Sequence, residues 1–319
     1  MKKILNINVL SFLTLLILIF ISLNIGNYKI DYSKLSDTSS LDYSIFVLRA
    51  IRISAAILVG IALSLSGAIF QALFKNTLAS PYTLGLSSGA GFGASVAILL
   101  GLSSFFISFI SIIFALISVL ASLFLAKNNH NSLILAGVLV SAFFQSLIAL
   151  LKFLADPFEK LPQIVFWLLG TLSGVSLEKI IYILPFYLIS LFVLLLYKNR
   201  LNVLSLDDTL AASFGVNARF DRIILIIFCA ILCAISVSLS GIIAWVGVIL
   251  PQVARILVGS NFNKLMPLSI SFGAIYLIII DNFARSLSAS EIPLGVLSSI
   301  IALPLIFVLF YKKDFYARD

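Results

Sequence analysis

Charge is scarce in this chain: 21 Lys and Arg and 13 Asp and Glu make up 11% of its 319 residues. Soluble domains carry about 25% charged residues, so a water-soluble globule is excluded, as are disordered and collagen-like chains. Histidine occurs once, at His130 in a polar turn, and no acidic cluster stands beside it, which leaves no metal-ligand set. Cysteine occurs twice, and Cys229 and Cys233 share one helical face inside an apolar run, where they act as small packing residues. No G-x-x-x-x-G-K-[ST] segment is present, so the chain does not itself cradle nucleotide phosphates. Paired carboxylates and a Ser/His/Asp set at one membrane depth are also missing, which argues against an intramembrane enzyme. The net charge of +8 comes from single Lys and Arg between apolar runs, a pattern of membrane orientation rather than nucleic-acid binding.

Apolar sequence is abundant: 61% of residues are hydrophobic and mean hydropathy is +1.19. Such a chain needs lipid as its solvent, and the fold class that follows is an all-α integral membrane protein. A crossing helix needs about 20 mostly apolar residues. Ten stretches qualify: 9–26, 45–74, 82–102, 105–126, 132–154, 180–197, 223–239, 242–258, 268–287 and 292–311. The segment 163–170 is apolar but too short to cross, and is expected to lie at the interface or re-enter. The run from Ile223 to Val258 is divided at Ser240-Gly241, where the chain can turn. Ten spans return the basic C-terminus to the side of Lys2 and Lys3, and 13 of the 21 Lys and Arg then fall inside. Both termini are therefore expected in the cytoplasm, with the chain resident in a cytoplasmic membrane.

Within the spans, Gly85, Gly89 and Gly93 recur every four residues and predict a bare helical stripe that admits a neighbouring backbone. Ser-Leu-Ser-Gly occurs at 64–67 and again at 238–241, five spans later, so the copies run in opposite directions, as in an inverted repeat. Arg255, Asp281 and Arg285 are the charges inside apolar spans, each costing about 2.5–3.5 kcal/mol at a bilayer centre unless it faces protein or water. Asp281 and Arg285, four apart, are positioned to pair; Arg49 and Arg52 share a face at the outer start of span two. Nowhere do carboxylates line up along the spans as ion-coupled transport requires, so if the chain is a transporter, its energy must come from another subunit. The longest inner segment, Lys198–Arg222, offers a short helix over 209–214 stopped by Gly215, then a second short turn over 216–221. Leu206, Leu210 and Phe214 form an apolar stripe there that seeks a partner groove or the lipid surface.

From about Leu48 to Lys313 the chain resembles the permease subunits of bacterial ABC importers for iron–siderophore complexes and cobalamin, the FecCD family. The blocks that carry the resemblance are Leu48-Arg49-Ala50-Ile51-Arg52, the run from Gln71 through Asn76 to Pro81, Leu84–Ala90, Phe166–Gly174, Gly247–Arg255, Asp281–Arg285 and Glu291–Val296. It implies an ABC importer type II permease of ten transmembrane helices with an inverted repeat. The single domain 1–319 then divides into a first helix and outer loop (1–44), a first repeat with span six (45–197), a cytoplasmic coupling loop (198–222) and a second repeat (223–319). It further implies a second permease chain, two ATPase subunits that bind the ATP, and an outer substrate-binding protein, with no cofactor on this chain. Carried over by position, Leu206, Asp207, Asp208, Leu210, Phe214 and Gly215 form the ATPase-coupling loop. Arg49, Arg52 and Arg285 dock the binding protein, and Asn131 and Ser132 lie at the inner gate, beside the pathway glycines Gly85, Gly89 and Gly93. Gln252 stands where the family often has His, and Asp207-Asp208 where a Gly-Glu pair is commoner. A bare-metal permease and an ion-coupled carrier are the alternatives; the first should show pathway His or Asp ligands.

Overall fold

The computed structural model describes residues 2–311 apart from Asn27, 127–129, Asp207 and Ala289; side chains are described within 7–307, without those of 130, 131, 208 and 209. All regular structure in these residues is helical: α1 (Lys2–Asn24), α2 (Leu41–Leu73), α3 (Leu86–Leu99), α4 (Ser104–Leu125), α5 (His130–Leu154), α6 (Lys160–Leu169), α7 (Leu177–Leu196), α8 (Lys198–Leu204), α9 (Asp208–Ser213), α10 (Ala218–Ser240), α11 (Val246–Val258), α12 (Phe262–Ser286) and α13 (Leu294–Tyr311). Among the described residues, seven helices are long and apolar enough to cross a membrane: α1, α2, α4, α5, α7, α10 and α12. The other three expected spans coincide with the shorter apolar helices α3, α11 and α13.

Expected boundaries shift at several helix ends; the span expected over 82–102, for instance, is α-helix only over Leu86–Leu99. The span expected from Ile242 begins as helix only at Val246, because Gly241 (φ +67°) and Trp245 (φ +71°) bound a non-helical stretch. Gly241 is forced by its surroundings as well as its φ: a Cβ there would stand 2.2 Å from the carbonyl oxygen of Trp167. The short turn expected over 216–221 is instead the first turn of α10, which Asn217 opens by accepting from the Phe220 amide.

Helix α2 is the centre of the bundle. Of its most apolar window 78% is buried within the protein, against 17% for α1 and 22% for α7. The contacts also fix relative directions. Arg52 meets Asp281 and Gly60 meets Gly273, so α2 and α12 are antiparallel. Gly67 lies against Gly247 and Gln71 against Val248 and Arg255, so α2 and α11 run together. Lys179 reaches Ser104 at the starts of α7 and α4, whereas Tyr197 at the end of α7 meets Asp221 at the start of α10. The first turns of α2 and the segment leading into α7 (Leu172, Ser173 and Val175) border one cavity, so α10 opposes α2. The two Ser-Leu-Ser-Gly copies thus run in opposite directions. The first lies mid-helix in α2, and the second ends α10.

Candidate functional site

Polar side chains gather at two opposite ends of the bundle. At the arginine end, α1, α2 and α12 are tied by guanidinium groups. Arg49 donates to the carbonyl oxygens of Leu23 (2.9 Å) and Tyr28 (2.7 Å), joining the end of α1 and the loop after it to α2. Gly26 makes room for it, since a Cβ there would stand 2.6 Å from an Arg49 nitrogen. Arg52 donates from Nε to Asp281 Oδ1 at 2.7 Å and from Nη1 to both carboxylate oxygens of Glu291 at 2.8 and 2.9 Å. Arg285 Nη2 donates to the Ser22 carbonyl (2.8 Å), the Ser22 hydroxyl (2.7 Å) and Asn282 Oδ1, and its Nε lies 3.4 Å from Asp281 Oδ2.

Arg49, Arg52, Arg285 and Glu291 border one cavity of about 370 Å³, with Tyr28 and Ser173 on its other walls. The structure therefore brings the three sequence-selected arginines together, each with partners inside the chain. Asp281 sits four residues from Arg285, as the spacing suggested, but its shorter bond goes across to Arg52 on α2. Among the described residues three cations face two carboxylates here, with Arg49 bonded to main-chain oxygens alone, so the cluster keeps a net positive charge. In the loop before α2, Asp31 and Asp37 accept from the hydroxyl and amide of Ser33 and Ser39, which hold both carboxyls below their ordinary range.

At the opposite, loop end, α8 and α9 stand between α7 and α10. Helix α9 closes in a Schellman turn: Gly215 (φ +72°) donates to the Ala212 carbonyl at 2.9 Å and Val216 to that of Ala211 at 3.2 Å. Ala211 is buried, whereas Leu206, Leu210 and Phe214 are exposed. An apolar row thus stands clear of the protein. Asp207 lies outside the described residues; Asp208 opens α9, its side chain outside them as well.

The loop is clamped to the bundle by contacts that sequence reasoning missed. Arg200 on α8 donates to both carboxylate oxygens of the buried Asp221 on α10, at 2.9 and 3.1 Å, and lies 5.4 Å over the Tyr197 ring. Asn202 accepts from the Phe262 amide at 2.8 Å, fixing α8 to the start of α12. The available signal was an acid in the first turn of α10 facing a basic residue just after α7. Nearby, Gln71 bridges α2 and α11, donating to the Val248 carbonyl (2.9 Å) and accepting from Arg255 (3.1 Å).

The stripe glycines separate into two roles. Gly85 caps α3 in a left-handed conformation (φ +80°), against Val140 and Ser141 of α5. Gly89 and Gly93 face α4, where added Cβ atoms would meet the carbonyl oxygens of Phe114 at 2.4 Å and Ile110 at 2.7 Å. Their bare face is what lets α3 and α4 pack backbone to backbone. Of the gate pair, Ser132 is half-buried in the first turn of α5, and the side chain of Asn131 lies outside the described residues.

The model of the FecCD transport family matches residues 14–312. The molybdate import system permease protein MolB of Haemophilus influenzae is 38% identical over 94% of both chains. The iron(3+)-hydroxamate import permease FhuG of Bacillus subtilis is 32% identical over 98% of both. The vitamin B12 import permease BtuC of Citrobacter koseri is 32% identical over 84% of this chain and 83% of its own. A solved inward-facing ABC transporter assigned to the metal-chelate type superposes with a TM-score of 0.88 and 37% identity, covering 97% of this chain and 99% of that one. The chain belongs to the FecCD transport family.

Proposed function

We propose that this FecCD-family ABC permease is one of two membrane subunits of an importer that carries a metal already wrapped in its own ligands. The cargo is an iron–siderophore complex or a related heme- or cobalamin-type chelate, moved inward across a bacterial cytoplasmic membrane. The carrying observation is mechanical: α2 and α12 bear the arginine cluster at one end, and at the other α12 is bonded to the loop through Asn202 and Phe262. Between those ends the two helices touch backbone to backbone at Gly60 and Gly273. A push on the loop therefore reaches the arginine end through a stiff pair rather than through flexible side chains.

In this reading the loop end faces the cytoplasm and two ATPase subunits take the Leu206–Leu210–Phe214 row into a groove. ATP is bound and hydrolysed on them; this chain contributes no catalytic group and no cofactor. The arginine end receives the substrate-binding protein, whose acidic groups meet the cavity around Arg49, Arg52 and Arg285. Movement of the clamped loop tilts the bundle and switches access from one side to the other, with the gate at Asn131 and Ser132 and with α3, carrying Gly85, Gly89 and Gly93, shifting along α4.

A chelate cargo fits a pathway with few fixed charges, because a bulky, ligand-saturated metal needs passage without tight capture. No group of three or more metal-binding side chains occurs among the described residues, which weighs against the bare-ion alternative. The 38% identity to the molybdate permease favours a second reading, in which the cargo is an oxyanion. Uptake into vesicles holding the reconstituted importer separates these: labelled ferric siderophore should accumulate, and bare ferrous or manganous ion should not. Accumulation of labelled molybdate alone selects the second reading, and accumulation of bare ions overturns both.

A further inference from the structure

The two carboxylates of the arginine cluster are held very differently. Asp281 sits within α12 with 1% of its side chain exposed, bonded to Arg52 Nε at 2.7 Å. Removing it would strand buried cations, so it is a fixed partner. Glu291 belongs to the turn between α12 and α13, its side chain 37% exposed at the edge of the cavity. Its backbone is left-handed (φ +48°), a conformation that disfavours side chains other than glycine, asparagine and aspartate. It nevertheless presents both carboxylate oxygens to one nitrogen, Arg52 Nη1, at 2.8 and 2.9 Å.

The rest of the cavity is short of acceptors. Arg49 is bonded only to the main-chain oxygens of Leu23 and Tyr28, and Arg285 Nη1 is buried without a hydrogen-bond partner. Among the described residues Glu291 is therefore the one exchangeable negative group among three guanidinium groups, on an ion pair of the partly exposed kind that contributes little to stability.

We infer that Glu291 is an internal stand-in for the binding protein's carboxylate: it occupies Arg52 in the free permease and yields it when an acidic side chain of the docking partner enters the cavity. This rests on the docking role of the arginine end. The exchange moves one carboxylate out and one in, so the buried arginines never lose their counter-charge. Docking is thereby weakened to a releasable level, as a partner that must leave after each delivery requires.

The test measures the Kd of the cognate binding protein for the permease–ATPase complex in vesicles, across a salt series, for wild type, Glu291→Gln and Arg49→Gln. Glu291→Gln keeps shape and removes charge; Arg49 has no carboxylate partner, so replacing it orphans no buried acid. Glu291→Gln is expected to tighten docking about fivefold, the equivalent of one exposed ion pair, and to steepen its salt dependence. Arg49→Gln is expected to weaken docking. An unchanged or weaker Kd for Glu291→Gln, with Arg49→Gln still weakened, overturns the stand-in role and leaves docking in place. Unchanged Kd in both variants overturns the docking role and the inference with it.

Discussion

Gly60 on α2 and Gly273 on α12 face each other so closely that a Cβ on either would stand 2.1 Å from the other's carbonyl oxygen. Both obstructing atoms are backbone, so neither helix can yield by a rotamer change. Gly67 and Gly247 repeat the arrangement between α2 and α11, with a Cβ on Gly67 only 1.9 Å from the Gly247 carbonyl oxygen. The central helix is thus gripped at two glycines two turns apart on one face, which allows backbone van der Waals contact in a solvent where apolar side chains gain nothing by association.

Gly60→Ala is therefore expected to force α2 and α12 apart and lower stability by about 2–3 kcal/mol, the upper part of the overpacking range. Thermal unfolding of the purified complex in detergent measures it. A melting temperature equal to wild type would show that the pair separates freely, and would remove the stiff link between the two ends.

The Arg200–Asp221 clamp predicts a separation of binding from coupling. Arg200 is more than half exposed, so losing the pair costs about 1 kcal/mol or less in stability. Asp221→Asn should keep the ATPase bound and still hydrolysing ATP, while uptake per ATP falls severalfold. Transport and hydrolysis that decline together, or not at all, would place the clamp outside the coupling route.

The exposed apolar row makes a different prediction. Replacing Leu210 and Phe214 together by Asp leaves the core untouched, since both side chains are exposed, but puts two unpaired charges into the proposed ATPase groove. The ATPase should no longer copurify with the permease. A complex that survives in full yield would count against the loop as its docking element.

Much of this was legible in the sequence, and the exceptions share a cause. The spacing of Gly89 and Gly93 foretold a bare helix face, whereas Gly85, expected on the same stripe, caps the helix instead; Gly241 foretold the break after α10, because these positions depend on what glycine permits locally. Helix α2 begins at Leu41 rather than Ile45 because Ser40 caps it, accepting from the Tyr43 amide. Asp42, Tyr43 and Ser44 in its first turns gave hydropathy nothing to register. The non-helical stretch from Gly241 to Trp245 was hidden for the opposite reason, since Ile242, Ile243 and Ala244 are as apolar as helix. The arginine cluster was readable as residue types, yet Arg52 finds its partners 229 and 239 residues away in sequence. The charged spacings i,i+3 on α2 and i,i+4 on α12 match only once the helices are known to be antiparallel neighbours. The Arg200–Asp221 clamp escaped notice because its partners were read as separate loop residues.

In the proposed function this chain is driven by ATP hydrolysis on partner subunits and not by an ion gradient. Vesicles holding the permease, its ATPase and externally added binding protein, loaded with ATP and supplied with labelled ferric siderophore, test it directly. Uptake should require ATP together with the binding protein and persist when ionophores collapse every gradient. Uptake that continues without ATP and stops with the ionophore would contradict the account.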